Sequence, residues 1–458
     1  MKPTKLTLLL EGLHPDTTET ITINSVVTDS RKVTEGALFV AIEGENLDGH
    51  DYIDDAFTRG AVVAVVRRKT ETNTNQQTVV DNTKDAHIII GKNYLRQFDP
   101  IIFAITGSVG KTTTKEMLAL ILQADAATVK NEANLNNEIG LPQTMFEVNV
   151  DTKYAVFEMG MNNLGDIRKL TLAAKPDVAI ITTIGLAHIE YLKTKENILA
   201  AKLEIFEGLK EDGIAVINGD DDLLMGSLAD ISQTTVTFAI DNTDADVVAK
   251  RILANSNTSE FMLSDRKYGD FLVVLPAIGN HNVMNALAAY TAATRKNISP
   301  ALAVKALYDY VPEGMRQNIL EFLGITIIED CYNANPDSMK AALQAFSIIP
   351  VKGLRIAVLG DMLELGTVTA EQHNSLILLA ASCGIDVLLT IGEHMKQAIE
   401  AAAATSITNV RWFPQHQQLA DYLIKTAKPD DAILFKASRS IKLETVIELF
   451  YDGYNRNE

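Results

Sequence analysis

A glycine-rich turn between an apolar strand and a helix constrains this chain more than any other feature. Apolar residues 101–106 are followed by Gly107-Ser108-Val109-Gly110-Lys111-Thr112-Thr113, which opens a helical segment. Backbone N–H groups at such a turn cradle phosphates, and Lys111 neutralises charge on the β and γ phosphates. The hydroxyl of Thr112 can ligate Mg²⁺. Ile105 stands where the strict phosphate-loop pattern has its first glycine, so the alternative is a plain strand-to-helix turn. The pattern predicts a nucleotide phosphate site.

Composition narrows the classes of protein to which the chain can belong. Its 458 residues predict three domains at about 150 residues each. Lys and Arg number 41 against 59 Asp and Glu, and the net charge of −18 argues against a protein that coats nucleic acid or an anionic membrane. Two cysteines, Cys331 and Cys383, exclude a disulfide scaffold. The N-terminus lacks a long apolar run, so we expect a cytoplasmic protein without membrane insertion, and a monomer by default.

Alternating strand and helix patterns predict an α/β protein of three domains. Residues 1–98 form a small α/β unit, and Asp99-Pro100 marks its end because the residue before proline resists helix. Residues 99–312 carry the phosphate turn, and their βαβ alternation predicts a central domain with a mainly parallel sheet. Residues 313–458 repeat the alternation, which predicts a Rossmann-like third domain.

The pattern also gives the individual elements. Strands are predicted at 37–42, 61–66, 101–106, 154–158, 178–183, 214–218, 326–330, 355–359, 387–391 and 432–436. Helices are predicted at 51–58, 112–122, 196–209, 279–296, 337–346, 370–383 and 395–405.

Three further side chains are candidates for chemistry. Glu158 ends a predicted strand, where parallel sheets bind ligands and where a carboxylate can hold Mg²⁺ between phosphates. The alternative for Glu158 is an exposed acid in a turn. His188 follows the next strand at the same edge, so a metal or phosphate role stands beside an ordinary surface role. Lys202 lies inside a helix, and its position alone does not distinguish it from a solvated surface lysine.

The motifs of the chain, taken in order, resemble those of the Mur ligases, the ATP-dependent amide-forming enzymes of peptidoglycan synthesis. The resemblance covers essentially the whole chain, and several motifs in the right order are more specific than any one of them. It is carried by residues 106–115, Asn134-Leu135-Asn136-Asn137-Glu138-Ile139-Gly140, Glu158-Met159-Gly160, residues 185–190 and 201–206, Gly279-Asn280-His281-Asn282-Val283-Met284-Asn285-Ala286 and Asp330-Cys331-Tyr332-Asn333-Ala334-Asn335-Pro336.

Two features indicate a branch of the family. Gly360-Asp361-Met362-Leu363-Glu364-Leu365-Gly366 resembles the third-domain signature of the enzymes that add D-alanyl-D-alanine. The Asp-Asn-Pro-Arg motif of the enzymes that add the third, diamino residue is absent. The resemblance implies an ATP- and Mg²⁺-dependent ligase that joins D-alanyl-D-alanine to UDP-N-acetylmuramoyl-tripeptide through an acyl phosphate.

The resemblance also implies the catalytic and metal-binding residues. Thr112 and Glu158 match residues that hold the Mg²⁺ between the β and γ phosphates. His188 and Lys202 match the ligands of a second Mg²⁺, with the lysine N-carbamylated. Carbamylation needs a neutral lysine, and burial lowers a lysine pKa. Together with Lys111, the residues Glu158, His188 and Lys202 form the implied catalytic set.

Substrate contacts are implied in the same way. Asn282 and Asn285 match adenine-side positions, while Arg316 and Asp330 match residues that reach the nucleotide from the domain junction. A surface ion pair and a strand-end cap are the alternatives for these last two residues. The implied substrate-binding residues are Ser30, Arg31, Asp48, Gly49 and His50 for the uridine nucleotide, and Asn134, Asn137, Asn333 and Arg439 elsewhere. Arg439 is assigned to a D-alanine carboxylate because a guanidinium fork suits it.

Three alternatives remain open from the sequence. A folylpolyglutamate synthetase has the same ATP chemistry but lacks the uridine-binding domain, whereas this chain has about a hundred residues before its phosphate turn. The ligase that adds the third residue is a second relative with the same chemistry. A non-catalytic nucleotide switch is a different class, and the potential ligands Glu158, His188 and Lys202 argue against it because a switch does not need them.

Overall fold

The computed structural model describes residues 1–13, 21–44, 47–400, 405–407 and 409–454. Within these ranges the chain forms a short antiparallel ribbon and three larger sheets of four, nine and six strands. The three larger sheets follow one another along the sequence and alternate with helices, which confirms the predicted α/β class. Most strand pairs of the central sheet are parallel, as predicted. The exact domain boundaries at residues 99 and 313 stay predictions.

The first sheet is small and entirely parallel. Its two inner strands are short apolar runs, as expected for strands buried on both faces. The elements in chain order are β1 (Thr4–Lys5), α1 (Leu6–Leu9), β2 (Thr22–Ile23), β3 (Ser25–Val27), β4 (Ala37–Val40), α2 (Ile53–Thr58), β5 (Ala61–Val66), β6 (Gln77–Val79) and α3 (Thr83–Leu95).

The central sheet begins with β7 (Ile101–Thr106), the strand before the phosphate turn. The elements that follow are α4 (Lys111–Gln123), β8 (Thr128–Lys130), α5 (Gly140–Met145), β9 (Tyr154–Glu158), α6 (Asp166–Ala174), β10 (Val178–Ile181), α7 (Ile189–Leu192), α8 (Lys195–Leu203), β11 (Ile214–Asn218), α9 (Asp222–Gly226), β12 (Thr234–Ala239), β13 (Val247–Ala254), β14 (Ser259–Asp265), β15 (Gly269–Leu275), α10 (Asn280–Arg295) and α11 (Pro300–Tyr308).

Strand order explains where a site can form in this sheet. The order is β15-β14-β13-β12-β11-β10-β7-β9-β8, and only β14 and β15 run antiparallel to their neighbours. Helices α4, α10 and α11 cover one face, while α5, α6 and α8 cover the other. Because β9, β7 and β10 are adjacent and parallel, the segments that follow them meet at one edge.

The third sheet has six strands in the order β16-β17-β21-β18-β19-β20, and only β16 is antiparallel. Helices α12 to α14 pack on one face, and α15 and α16 pack on the other. Its elements are β16 (Asn318–Phe322), β17 (Ile325–Glu329), α12 (Pro336–Ile348), β18 (Arg355–Gly360), α13 (Thr369–Ser382), β19 (Val387–Ile391), α14 (Glu393–Ala398), β20 (Asn409–Phe413), α15 (His416–Thr426), β21 (Ala432–Lys436) and α16 (Glu444–Tyr454).

Several predicted elements differ from the structure. The helix predicted at 196–209 ends at Leu203 and continues as a 3-10 helix over Glu204–Glu207. There the Glu204 carboxylate accepts hydrogen bonds from the Gly165 and Arg168 N–H groups at the start of α6. The helix predicted at 395–405 is α14, which starts at Glu393. Residues 401–404 of that prediction lie outside the described residues.

None of the helices in the described part of the chain combines the length and the apolar character needed to cross a bilayer.

Candidate functional site

A cavity of about 530 Å³ lies at the carboxyl edge of the central sheet and is lined by residues from all three sheet regions. The central region contributes the phosphate turn, Glu158 and His188. The third region contributes Asp330, Asn333, Lys436 and Arg439, and the first contributes Asn82, Lys84 and Asp85.

The phosphate turn needs its glycines for close approach as well as for conformation. Gly107 and Gly110 have φ values of +153° and +85°. A Cβ on Gly107 would lie 1.8 Å from Thr182 Oγ1, and one on Gly110 would lie 2.3 Å from Asn285 Oδ1. The Ser108 N–H donates to the Thr183 carbonyl at 2.9 Å, which ties the turn to the end of β10.

Lys111 folds back over this turn. Its Nζ donates to the Gly107 carbonyl at 2.8 Å, so its partner carries no formal charge. Burial lowers the pKa of Lys111, Arg316 acts in the same direction, and Glu158 opposes them. The side chain is placed across the turn, where its charge is available to a bound anion.

Glu158 is a buried carboxylate whose side-chain partners are neutral. Thr112 Oγ1 donates to one carboxylate oxygen at 2.8 Å, and Asn136 Nδ2 donates to the other at 2.8 Å. The side chain is buried, which contradicts the alternative of an exposed turn acid. Two oxygen ligands for a divalent cation, Thr112 and Glu158, therefore lie side by side at the turn.

Asn131 fixes the backbone of Glu158 and was not predicted. Its Oδ1 accepts from the Glu158 N–H at 2.8 Å, and its Nδ2 donates to the Glu158 carbonyl at 3.0 Å. The buried Lys115 donates to the Asn131 carbonyl at 2.6 Å. Asn136 belongs to a quoted motif but had no assigned role, and no local pattern singles out Asn131, because its partner lies 27 residues away.

His188 lies at the same edge in an unusual backbone conformation. Its φ is +64°, and it precedes α7. Nδ1 lies 2.8 Å from Glu364 Oε2 of the third region, and this histidine lowers the pKa of Glu364. His188 is a lining residue of the cavity, as predicted for an edge residue.

Lys202 is buried, with 1% of its surface exposed. The alternative of a solvated helix lysine is therefore wrong. Burial lowers the pKa of Lys202 well below its usual range, and the nearby Lys111 adds to this effect. Among the described residues, no hydrogen bond or ion pair to its ammonium group is found, and Lys202 is not among the residues that line the cavity.

Residues assigned to the nucleotide gather at the cavity. Asn282 Nδ2 donates to the Ile278 carbonyl at 3.0 Å, and Asn285 Nδ2 lies 3.4 Å from Asn282 Oδ1. The Arg316 guanidinium lies 3.9 Å from the centre of the Tyr332 ring rather than in an ion pair within the described chain. Asp330 pairs with Lys436 at 2.8 Å, which departs from a simple strand-end cap.

Lys436 and His281 are among the lining residues to which the sequence analysis assigned no role. Lys436 is buried and also donates to the carbonyls of Asp330 and Asn333 at 3.2 Å. His281 belongs to a quoted motif without an assigned role, and burial lowers its pKa to about 4. The position of Lys436 at the end of β21, a strand-end signal like that of Glu158, could have identified it.

The implied substrate residues divide into two groups. Asn134, Asn137, Asn333 and Arg439 line the cavity. Ser30, Arg31, Asp48, Gly49 and His50 are not among its lining residues. Arg31 is 81% exposed and pairs with Asp29 at 2.8 Å, which lowers the pKa of Asp29 to about 2.

The other first-region residues form an ion-pair cluster, which consists of Glu43, Asp48, His50, Arg67 and Arg68. His50 Nδ1 lies 2.7 Å from Asp48 Oδ1, and its Nε2 accepts from the Arg67 N–H at 3.0 Å. Arg68 bridges Glu43 and Asp48 at 3.0 and 2.6 Å. Ligand atoms of Glu43, Asp48 and His50 lie within 4.8 Å of one another, a spacing that could suit a metal ion. Both ring nitrogens of His50 and both carboxylates already have hydrogen-bond or ion-pair partners within the cluster. Gly49 is required by close packing, since a Cβ would lie 2.6 Å from Ile42 N.

The third region docks directly on the phosphate turn and the segment after β10. Asp337 Oδ2 accepts from the Leu186 N–H at 2.9 Å, and Asn335 Nδ2 approaches the Ser108 carbonyl at 3.4 Å. A Cβ on Gly185 would lie 2.0 Å from Asp337 Oδ2, so any other residue there would displace this carboxylate. The third region is therefore held against the central region by direct contacts.

Three Mur ligase family models match the chain. The Mur ligase family catalytic domain matches residues 22–124, the Mur ligase middle domain residues 105–293, and the Mur ligase glutamate ligase domain residues 315–439. The UDP-N-acetylmuramoyl-tripeptide–D-alanyl-D-alanine ligase of Bacillus subtilis is 35% identical over 439 residues, which cover 95% of this chain and 94% of the relative.

Solved structures agree over the same length. A crystal structure of MurF from Acinetobacter baumannii matches with a TM-score of 0.91 and 31% identity, covering 99% of each chain. The structure of MurF ligase from Thermotoga maritima in complex with ADP matches with a TM-score of 0.84 and 28% identity, covering 95% of this chain and 98% of that one.

Proposed function

The chain belongs to the Mur ligase family, and from its cavity we propose that it joins D-alanyl-D-alanine to UDP-N-acetylmuramoyl-tripeptide at the expense of ATP. It is an ATP-dependent ligase that forms an amide bond. The observation that carries the proposal is the meeting of Lys111, Thr112 and Glu158 at one cavity edge, in a chain similar over its whole length to ligases named for this reaction.

The reaction needs two anions to approach each other. A carboxylate oxygen of the tripeptide attacks the γ-phosphorus, the bond to the β-phosphate oxygen breaks, and ADP leaves an acyl phosphate. The amine of D-alanyl-D-alanine then attacks the carbonyl carbon and loses a proton, and inorganic phosphate leaves. Lys111 and the N–H groups of the turn offset the repulsion between the anions, because they carry positive charge and Lys111 forms its hydrogen bond with a neutral carbonyl.

The donor set fits Mg²⁺. The Thr112 hydroxyl and the buried Glu158 carboxylate are hard oxygen ligands 2.8 Å apart. Asn136 donates to the carboxylate, and Asn131 fixes the backbone of Glu158. Thr112 and Glu158 would hold the ion, which would supply positive charge to the phosphates.

We also propose that His188 and Lys202 serve a second Mg²⁺, with Lys202 as a carbamate. The neutral amine nitrogen attacks the carbon of carbon dioxide and releases a proton, which leaves an anionic oxygen donor. The burial of Lys202 and its lowered pKa support this step because they favour the neutral amine.

The remaining assignments follow the cavity wall. We propose that Asn282, Asn285, Arg316 and Asp330 bind ATP, and that Asn134, Asn137, Asn333 and Arg439 bind the other substrates. The assignments of Ser30, Arg31, Asp48, Gly49 and His50, the domain boundaries, the cytoplasmic location and the monomeric state stay predictions.

A substrate matrix tests the function. Phosphate release is measured with UDP-N-acetylmuramoyl-dipeptide or -tripeptide, each combined with D-alanyl-D-alanine, L-lysine or meso-diaminopimelate. We expect release only with the tripeptide and D-alanyl-D-alanine. Release with the dipeptide and a free diamino acid would instead identify the ligase that adds the third residue. Slow hydrolysis that no acceptor accelerates would indicate a nucleotide switch.

A further inference from the structure

A chain of side-chain amides leads from the helix after the phosphate turn into the cavity wall. Thr114 Oγ1 of α4 donates to Asn285 Oδ1 at 3.3 Å. Asn285 Nδ2 donates in turn to Asn282 Oδ1 at 3.4 Å, one turn earlier on α10. The Asn282 amide then donates to Gln317 Oε1, in the segment that precedes β16. All three hydrogen bonds run in the same direction, so the chain ends at the Gln317 amide.

A backbone carbonyl fixes the direction of this chain. Asn282 Nδ2 also donates to the Ile278 carbonyl at 3.0 Å, and a carbonyl oxygen only accepts. The nitrogen of Asn282 therefore faces both Ile278 and Gln317, and the atom of Gln317 that meets it is the amide oxygen. Both N–H bonds of Asn282 are occupied in this way. The donor at the end of the chain is consequently Nε2 of Gln317.

Gln317 Nε2 is a donor without a partner within the protein. Only 8% of the surface of Gln317 is exposed, and the residue lines the cavity. Across the described ranges of the chain, no acceptor lies within hydrogen-bond distance of Nε2. Nε2 is not one of the fully enclosed polar atoms that lack a partner there, so it opens to the cavity. A nearly buried amide of this kind gains free energy when a ligand accepts from its unused N–H.

The surroundings of Gln317 favour a nucleobase as that ligand. The preceding residue, Arg316, places its guanidinium 3.9 Å from the centre of the Tyr332 ring, and both residues line the cavity. Flat cationic and aromatic groups suit the stacking of a base. One helical turn, about 5.4 Å, and two amide groups separate Gln317 from the Asn285 amide beside the phosphate turn. Gln317 therefore lies beyond the phosphate site, where a bound nucleotide extends its sugar and base.

We propose that Gln317 recognises the adenine of ATP, with its Nε2–H donating to a ring nitrogen of the base. The assignment deepens the proposed function and rests on its ATP site. Asn282 then contributes a donor only through Gln317, since both of its own N–H bonds are occupied. Removal of the Gln317 amide leaves a ring nitrogen of the base unpaired in the pocket, which costs more than the bond alone.

Calorimetric titration of the whole protein with ADP and three analogues tests the assignment. In 1-deaza-, 3-deaza- and 7-deaza-ADP a carbon replaces one ring nitrogen. We expect Gln317→Leu to weaken ADP binding by about 5- to 50-fold. One analogue should bind the unmodified protein with a similar loss and lose nothing further in the variant, because donor and acceptor are partners in one bond. Unchanged ADP binding by Gln317→Leu, or an equal loss for ADP and all three analogues, would overturn the proposal.

A second variant separates the donor from the packing of the side chain. Gln317→Glu keeps an oxygen toward Asn282 but replaces the donor that opens to the cavity with an acceptor, so it should weaken ADP binding at least as much as Gln317→Leu. It also carries the test if Gln317→Leu does not fold. Gln344→Leu, the same change at an exposed glutamine of α12, is the matched control and should bind ADP normally. Normal ADP binding by Gln317→Glu would overturn the proposal.

Phosphate release distinguishes this assignment from the proposed function. If ADP binding depends on Gln317 and one ring nitrogen but no acceptor releases phosphate, the ligase reaction fails while the assignment of Gln317 stands. If D-alanyl-D-alanine and the tripeptide nucleotide release phosphate while ADP binding is independent of Gln317, the assignment alone is overturned.

Discussion

The phosphate turn and the first-region ion-pair cluster both consist of charged residues from recognisable motifs, yet they hold their charges in opposite ways. Lys111 bonds to a carbonyl, and Glu158 bonds to a hydroxyl and an amide, so both keep their charge for a ligand. Arg31 pairs with Asp29, and Arg68 pairs with Asp48 and Glu43, so these charges cancel locally. A charged motif residue is therefore a better candidate for ligand binding when its partners are neutral.

The largest expected effect is at Lys111. Lys111→Ala removes the ammonium group that lies across the phosphate turn, and we expect phosphate release to fall by at least about 10²–10³-fold. The midpoint of thermal unfolding should stay close to that of the unmodified protein, because the lost partner is one carbonyl at the turn. Near-normal turnover in a folded variant would show that the charge of Lys111 does not serve a ligand, contrary to the difference between the phosphate turn and the ion-pair cluster.

Lys202 comes next, and its test distinguishes a ligand from a structural lysine. We expect Lys202→Ala to lose about 10²-fold in phosphate release and to recover part of it when acetate or another short carboxylate is added. Lys202→Arg should not substitute, because a guanidinium repels a metal ion. Lys195→Ala, on the exposed side of the same helix, is the control and should be unaffected. Full activity of Lys202→Ala without additive would refute the carbamate.

His87 belongs to neither group of residues: it is fully buried, and in the described part of the chain neither of its ring nitrogens has a hydrogen-bond partner. It packs against Phe146 with the ring centres 5.7 Å apart, where α3 meets the central region. Burial lowers the pKa of His87 to about 4 from 6.5. Between these values the unfolded chain binds a proton that the folded chain refuses, so stability falls as the pH falls through this window.

We therefore expect His87 to reduce the free energy of unfolding by about 2 kcal/mol between pH 7.5 and pH 5. Denaturant unfolding at both pH values measures this change, and His87→Leu should lose that part of the pH dependence. If the free energy of unfolding had the same pH dependence in both proteins, the pKa of His87 would not be lowered on folding.

The smallest effect is expected at Arg31. Because its charge is already compensated by Asp29 and its side chain is exposed, Arg31→Ala should raise KM for the UDP-linked substrate by no more than about threefold and leave kcat unchanged. Steady-state kinetics with varied nucleotide substrate measure this. A tenfold rise in KM would show that Arg31 breaks its ion pair with Asp29 to bind the substrate. The charges of the first-region motif would then serve a ligand, as those of the phosphate turn do.

How much the sequence predicts depends on how local the determinants are. The strands 154–158 and 214–218 are confirmed residue for residue. Each is a short apolar run between polar segments, so the change in polarity marks where the strand begins and ends. The antiparallel strands β14 and β15 were not predicted, although residues 259–265 alternate in burial. Their alternation includes the buried Asp265, whose partner Arg295 is 30 residues away.

The site follows the same rule. Thr112 was identified because its hydroxyl follows the lysine of the phosphate turn, and Glu158 because it ends a strand at the sheet edge. Asn131, Asp337 and Gln317 were not assigned roles, since their importance arises from partners in distant elements. No pattern within a few residues of Gln317 reveals its partner on α10.

The close contact between the phosphate turn and α10 has a consequence for synthesis of the chain. Thr114 Oγ1 donates to Asn285 Oδ1 at 3.3 Å across 171 residues, and the same Asn285 fills the space beside Gly110. At about 5–20 residues per second, a ribosome needs roughly 10–30 s to make that intervening stretch. The turn is thus translated early but completed late, and the nascent chain acquires its finished nucleotide pocket only after α10 has emerged.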